Sequence, residues 1–335
     1  MKVRNGSIPA VGVWLIVSVL LVGCAGAPVE PTTIPPTEPP TEAPAAPEPS
    51  PIVDAEPTQL VFADSLGREI TLAATPERIV SMSPSNTEVL FAVGAGDLIV
   101  GRDDFSDYPV EALDIPSIGS TYGELNTEVI VEMEPDLVLA AGITPDEHIA
   151  ALESIGMNVF VLGNPADFDG LFENLRTVGQ LTDHQAEAEA LASDMEARFD
   201  TIVERMQGVE PVSVFYEVDG TDPSSPWTTG TNTFQDLAIE LAGGENIFTD
   251  VEGWAQVNLE EILVRDPSVI VFADGSFVPT TVESLKARAG WTDISAVQND
   301  RVYAMDTDLL DLPGPRLVQG LETMAEILHP ELFNE

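Results

Sequence analysis

Short apolar runs alternate along the chain with segments bracketed by helix start and stop signals. "ERIVSM" (77–82) reads as a buried strand, and "SPSNTEVLFAVGAG" after it as a helix. Ser85 and Glu88 have capping-box spacing there, and Gly94 and Gly96 close the segment. "LIVG" (98–101) is a second strand. "TPDEHIAALESIG" (144–156) is a helix with Thr144 as N-cap and Pro145 at its first position, followed by strand "NVFVL" (158–162). Beyond a central helical stretch the alternation resumes. Strand 212–218, a helix around 233–244, strand 268–273, a helix near 279–288, strand 301–305 and a last helix over 314–328 are expected. Such alternation indicates parallel α/β layers.

The central stretch has another character. "DHQAEAEALASDMEARFDTIVERMQG" lacks proline and internal glycine until Gly208 and is dominated by strong helix formers. One connecting helix over 181–208, about 25 residues in regular form and ~37 Å long, is long enough to pass from one lobe to another. The domain plan is a lobe over 59–180, the helix, and a second lobe over 209–335.

The two lobes share a duplicated unit. "LNTEVIVEMEPDLVLAAG" (125–142) and "VNLEEILVRDPSVIVFADG" (257–275) match position by position. Asn126 answers to Asn258, Glu128 to Glu260, Ile130 to Ile262 and Pro135 to Pro267. Each copy reads as a capping Asn, a short helix, an acid plus Pro as a stop, and an apolar strand. A repeat of this period points to paired lobes rather than a solenoid, whose repeats run about 20–50 residues.

With 13 Lys and Arg against 57 Asp and Glu, the formal charge is −44. That excludes a basic nucleic-acid footprint and disfavours charge-driven docking on anionic lipid. Residues 1–23 read as a signal peptide: Lys2 and Arg4 precede the apolar run 11–22. "LVGC" ends it at Cys24, the single cysteine, and resembles a bacterial lipobox, which implies lipidation of that thiol. Residues 24–58 read as an extended tether to a domain starting near Gln59, and its thirty Pro-rich residues 28–57 could span at most roughly 90 Å.

Catalytic signatures are lacking. His148, His184 and His329 have no metal-ligand spacing and read as exposed surface residues. "GAGDLI" (94–99) has Ile99 where a dinucleotide fingerprint needs Gly or Ala, and it follows a helix. There is no nucleophile elbow and no phosphate loop.

The segments "PERIVSMSPSNTEVLFAVGAG", "DYP" (107–109), the duplicated units, "GGENIF" (243–248) and "PGPRLVQGLE" (313–322) together resemble the substrate-binding proteins of ABC importers for cobalamin, ferric siderophores or haem. The resemblance covers about 60–330. It implies the helical-backbone, class III periplasmic binding protein fold: two Rossmann-like α/β lobes joined by one long helix, with ligand held between them. It also implies that Glu128 and Glu260 meet arginines on an ABC permease dimer. An acid in a first turn is stabilised by the helix dipole in any case, by ~0.3–1 kcal/mol. Glu261 is the better capping partner of Asn258, however, which leaves Glu260 without a local role.

Ligands of α/β lobes gather at strand C-terminal ends and helix N-termini. That selects Ser83, Pro84, Ser85 and Asn86, and the loop from Arg102 through Phe105 to Tyr108. It also selects Tyr122, the segment Trp227 to Gly230, Trp254, and the 308–316 loop with Asp308 and Arg316. The four aromatic residues Tyr108, Tyr122, Trp227 and Trp254 fall in expected loops, where they can lie flat against a large rigid ligand or plug a lobe. Tyr122 and Trp254 each stand six residues ahead of a paired glutamate, at positions where cobalamin binders resemble this chain; "DTDLLDLPGPR" (306–316) lacks the aromatic residue such binders can carry there. Arg102 and Arg316 are the candidate pocket cations. A catecholate siderophore wants several cations, and a haem wants an axial His or Tyr, a role open to Tyr108 or Tyr122. The expectation is a monomeric, lipid-anchored binding protein on the outer face of the cytoplasmic membrane. It carries no resident cofactor and no catalytic residue, and it delivers a metal chelate, foremost a corrinoid, to the permease. A ferric siderophore or haem is the alternative within the family, and an exported enzyme on the same fold the alternative outside it.

Overall fold

In a computed structural model the structure describes residues 59–274 and 280–333. The signal and tether readings, with Cys24, therefore fall outside the described residues. A hairpin of β1 (Leu60–Ala63) and β2 (Glu69–Leu72) opens the described part. The first lobe then winds a parallel four-stranded sheet in the order β4-β3-β5-β6, formed by β3 (Ile79–Ser81), β4 (Ile99–Arg102), β5 (Leu137–Ala141) and β6 (Val159–Leu162). Both middle strands are buried throughout, as expected for a sheet covered on both faces. Helices α1 (Pro84–Ala92), α2 (Thr127–Glu132) and α3 (Asp146–Ser154) connect the strands.

The second lobe repeats the plan around β7 (Val212–Asp219), β11 (Val269–Asp274) and β12 (Val302–Asp306), which are mutually parallel in the order given. The free edge of β7 takes two short partners in succession. β9 (Gly244–Asn246) runs parallel to its first half and β8 (Trp227–Thr229) antiparallel to its end, and β10 (Trp254–Gln256) extends the sheet beyond β8. Helices α6 (Phe234–Leu241), α7 (Leu259–Arg265), α8 (Val282–Lys286), α9 (Ser295–Gln298) and α10 (Leu317–Leu328) complete this lobe.

The duplicated units are structurally duplicated. The Asn126 side chain caps α2 by accepting from the Val129 amide, and Asn258 caps α7 by accepting from Glu261. Glu261 returns the bond, closing a capping box. Glu134 and Asp266, the acids before each proline, both take left-handed backbone (φ 48° and 43°), which breaks the helix and turns the chain into the strand.

The connecting helix is shorter than expected. α5 spans Gln185–Arg205, 21 residues and about 31 Å. Leu181 and Thr182 belong instead to α4 (Phe168–Thr182), a helix where no element was expected because Gly170 and Gly179 interrupt its sequence. Asp183 in left-handed conformation (φ 62°) breaks the two apart. Gly179 is required for their packing: a Cβ there would lie 2.4 Å from the Ala188 Cβ of α5. Two expected caps also shift. Ser83, not Ser85, caps α1 by accepting from the Asn86 amide, with Pro84 at the first helical position. Thr144 accepts from the Ala141 amide and closes the preceding turn rather than capping α3.

One apolar core runs through both lobes. It includes Ile79, Leu90 and Leu139 of the first, Val214, Tyr216 and Leu321 of the second, and Ala188, Ala192, Met195 and Ile202 along one face of α5. Phe168 of α4 packs 4.8 Å from Phe199 of α5 and 5.7 Å from Phe234 of α6, centroid to centroid. Such pairs contribute about 0.5–1.5 kcal/mol each beyond their buried area. Gly179→Ala is therefore expected to destabilise the fold by about 1–3 kcal/mol despite alanine's better helix propensity, because it forces α4 from α5. Chemical denaturation checks this; an unchanged or raised midpoint would contradict the packing account.

Candidate binding face and docking acids

The residues selected from the sequence sort into those committed to the fold and those left facing outward. Ser83, Ser85 and Asn86 are buried in the first turn of α1. The Asn86 amide donates to the Leu139 carbonyl (3.1 Å), tying α1 to β5, and the Ser83 and Ser85 hydroxyls face each other at 3.2 Å. Gly230 is a backbone requirement, since a Cβ there would meet the Val251 carbonyl oxygen at 2.2 Å. Arg102 donates to the carbonyls of Ala112 (2.8 Å) and Asp103 (2.9 Å), so its guanidinium shapes the 103–114 loop.

The aromatic residues behave differently. Tyr122 is 64% exposed, with Phe105 against it edge-on at 5.4 Å. A cavity of about 250 Å³ opens beside Tyr122, bounded by Ser83, Pro84, Ile143 and Pro145. These residues follow β3 and β5, so the cavity sits at the C-terminal ends of the parallel strands. Ile143 is exposed there and was not selected from the sequence; its signal is an apolar residue in a strand-to-helix loop. In the second lobe Trp227 (41% exposed) and Trp254 (56%) lie on strands β8 and β10 rather than in loops. The antiparallel register sets Trp254 opposite Thr229 and Gln256 opposite Trp227. Because side chains alternate along a strand, both indoles project from the same face of the ribbon. Trp227 pairs with Asp219, which places that ribbon at the C-terminal end of β7.

Arg316 joins the lobes. Its guanidinium donates to both carboxylate oxygens of Glu88 on α1 (3.0 and 2.5 Å) and to Asp308 (3.1 Å), and it lies 4.0 Å over the Tyr108 ring. Glu88, expected to cap its own helix, is only 3% exposed and serves this pair instead. Burial pushes the Glu88 carboxyl up and Arg316 pulls it back, leaving it above its ordinary value. Burial works against the Arg316 charge, but Glu88 and Asp308 hold it protonated. Both candidate cations of the face are thus spent on the protein's own oxygens.

Tyr122 is pushed above the ordinary phenol value, first by partial burial and then by the Asp103 carboxylate. The three histidines correct the expectation of surface positions. His148 is buried in α3, His329 is buried with its Nε2 2.9 Å from the Gly243 carbonyl, and His184 sits at the start of α5 with Nδ1 2.7 Å from the Thr182 carbonyl. Among the described residues there is no group of three or more metal-ligating side chains.

Glu128 and Glu260 are exposed in the first turns of α2 and α7 and make no hydrogen bond or ion pair to another described residue.

The family model described as "Periplasmic binding protein" matches residues 79–309, and the chain belongs to that family. It is 32% identical over 278 residues to an uncharacterized ABC transporter substrate-binding lipoprotein, YvrC, of Bacillus subtilis, covering 81% of this chain and 86% of the relative. A cobalamin-binding protein of Halobacterium salinarum is 31% identical over 79% of this chain and 73% of its own. Among solved structures, a periplasmic haem-binding protein of a Roseiflexus species superposes with a TM-score of 0.69 at 28% identity, over 76% of this chain and 99% of that one. The fold is that of the class III periplasmic binding proteins, and the chain is the substrate-binding component of an ABC importer.

The segment bearing Asp308 and Arg316 is anchored by Asp311, which accepts from the Gln235 amide (2.7 Å) and the Tyr216 hydroxyl (3.3 Å). Burial raises its pKa to about 6 from an ordinary 3.8, against the pull of those two bonds. The folded state therefore binds this proton more tightly than the unfolded chain, so the group's penalty on stability grows as pH rises from about 4 through about 6 and is full above. Asp311→Asn keeps the accepting oxygen and removes the charge. It is expected to stabilise the protein by up to about 3 kcal/mol at pH 7.5, with the gain vanishing near pH 4. Thermal melts of both proteins across that range test it; a pH-independent difference would contradict the assignment.

Proposed function

We propose that this protein captures a corrinoid between its lobes and delivers it to an ABC permease, held at the outer face of the cytoplasmic membrane by lipid on Cys24 through the Pro-rich segment 24–58. The observation that carries the ligand reading is the pairing of exposed aromatic rings with neutralised cations. Tyr122 and Phe105 on one lobe and Trp227 and Trp254 on the other offer flat apolar surface at strand C-terminal ends. Arg102 and Arg316 are engaged by internal oxygens and leave little for an anion. A bulky, uncharged, amide-fringed macrocycle suits such a face better than a catecholate chelate. The cobalamin-binding relative agrees with this reading. Titration with cyanocobalamin, followed by quenching of tryptophan fluorescence, is expected to saturate. Trp254→Ala is expected to weaken binding roughly ten-fold or more. Saturation by haem or a ferric siderophore with none by cyanocobalamin would overturn the corrinoid reading.

Docking is the second half of the proposal. Glu128 and Glu260 stand in equivalent places in the duplicated units, exposed and without a partner among the described residues, which suits them to paired cations on a two-fold permease. Losing each interfacial charge costs about 2–5 kcal/mol if its partner stays buried. The double variant Glu128→Ala, Glu260→Ala is expected to bind ligand as the parent does and to abolish uptake in cells. Undiminished uptake would remove the docking role.

A further inference from the structure

The Glu88–Arg316 pair lies where the two lobes meet, and its arrangement bears on ligand choice. Glu88 has no partner within its own lobe: its carboxylate accepts from Arg316, 228 positions away, through two bonds. The pair is not sealed off. Arg316 keeps 14% of its side-chain surface, and a cavity of about 370 Å³ opens beside it, its lining including Glu88, Phe91, Tyr108, Pro109, Arg198 and Arg316. Asp308, on the same guanidinium, is partly exposed. Two carboxylates thus meet one guanidinium, and the cluster is net negative. The Tyr108 ring lies over the same guanidinium and covers part of it. Two further cations stand nearby and both are engaged: Arg198, which lines the cavity, donates to both carboxylate oxygens of Glu322, and Arg102 is held by backbone carbonyls.

We propose that Glu88 is a specificity-determining residue that acts through Arg316: by occupying the guanidinium it makes the cleft reject anionic metal chelates and accept uncharged ones. A ligand bearing carboxylate or catecholate oxygens would need that guanidinium fork, and here the fork is filled. Discrimination of this kind rests on a repulsive element as much as on attraction, and the excess carboxylate supplies it. This rests on the corrinoid reading for the identity of the accepted ligand, though not for the exclusion of anions.

Glu88→Gln removes the charge, keeps the shape and leaves one accepting oxygen. Its affinity for ferric enterobactin, a trianionic tris-catecholate, is expected to rise ten-fold or more above the parent's and to fall back as ionic strength is raised. Glu88→Asp, which retains the charge, is expected to show no such gain, and Glu88→Gln combined with Arg316→Gln to lose it. Mere loosening of the lobes would weaken binding in all three variants alike, with no dependence on charge. Should Glu88→Gln fail to fold, Asp308→Asn withdraws a carboxylate from the same guanidinium and is expected to raise the affinity for the chelate in the same direction. An affinity for ferric enterobactin that is unchanged in the folded variant overturns the proposal. Failure of the parent to bind cyanocobalamin overturns the corrinoid reading separately, since the anion measurement does not depend on it.

Discussion

A cluster of phenylalanine rings centred on Phe168, which packs against both Phe199 and Phe234, is the contact on which the rest of the geometry depends. Those rings belong to α4, α5 and α6, hence to the end of the first lobe, the connecting helix and the second lobe in turn. Around them the apolar interior is continuous, so the lobes share a core instead of meeting across a solvated hinge. Swinging one lobe away would expose that core and part α5 from both neighbours. A continuous helix absorbs little backbone rotation, unlike the loop residues that serve as hinges elsewhere. The candidate binding face is consequently held in place by the core, an arrangement that lowers the ordering cost of binding.

On that frame the duplicated unit sets two exposed features side by side. Its helix carries an acid outward, and the chain just ahead of the helix carries an aromatic ring at the strand C-terminal end. Tyr122 and Glu128 repeat in Trp254 and Glu260. The proposed ligand contact and the proposed permease contact are thereby only six residues apart in each lobe. A displacement of α2 or α7 on docking would be felt at Tyr122 or Trp254 through a short stretch of backbone.

Much of the fold was legible because its signals are local. Capping asparagines, acid–proline stops and β-branched runs act within a few residues of themselves, so the duplicated units and all the main parallel strands read correctly. α4 escaped because Gly170 and Gly179 depress helix propensity, and what recovers it is packing: its buried face meets α5 at a distance only glycine permits. The exposure of Tyr108, Tyr122, Trp227 and Trp254 was legible for the converse reason. A tryptophan or tyrosine at a strand end that serves no core periodicity stays exposed in the structure.

The sequence by itself determined the two-lobed α/β plan, the central helix, the paired acids and the exposed rings, since each follows from local pattern or from repetition. Only the tertiary structure decided what the charges do. Glu88 looked like a capping residue, Arg102 and Arg316 like free pocket cations, and the histidines like surface groups. Glu88 finds Arg316 from the far end of the chain, Arg102 turns to the carbonyls of its own loop, and His148 and His329 are buried. Charge and hydrogen-bond pairings form between groups brought together by folding, and nothing in the spacing of residues along the chain encodes such a partner.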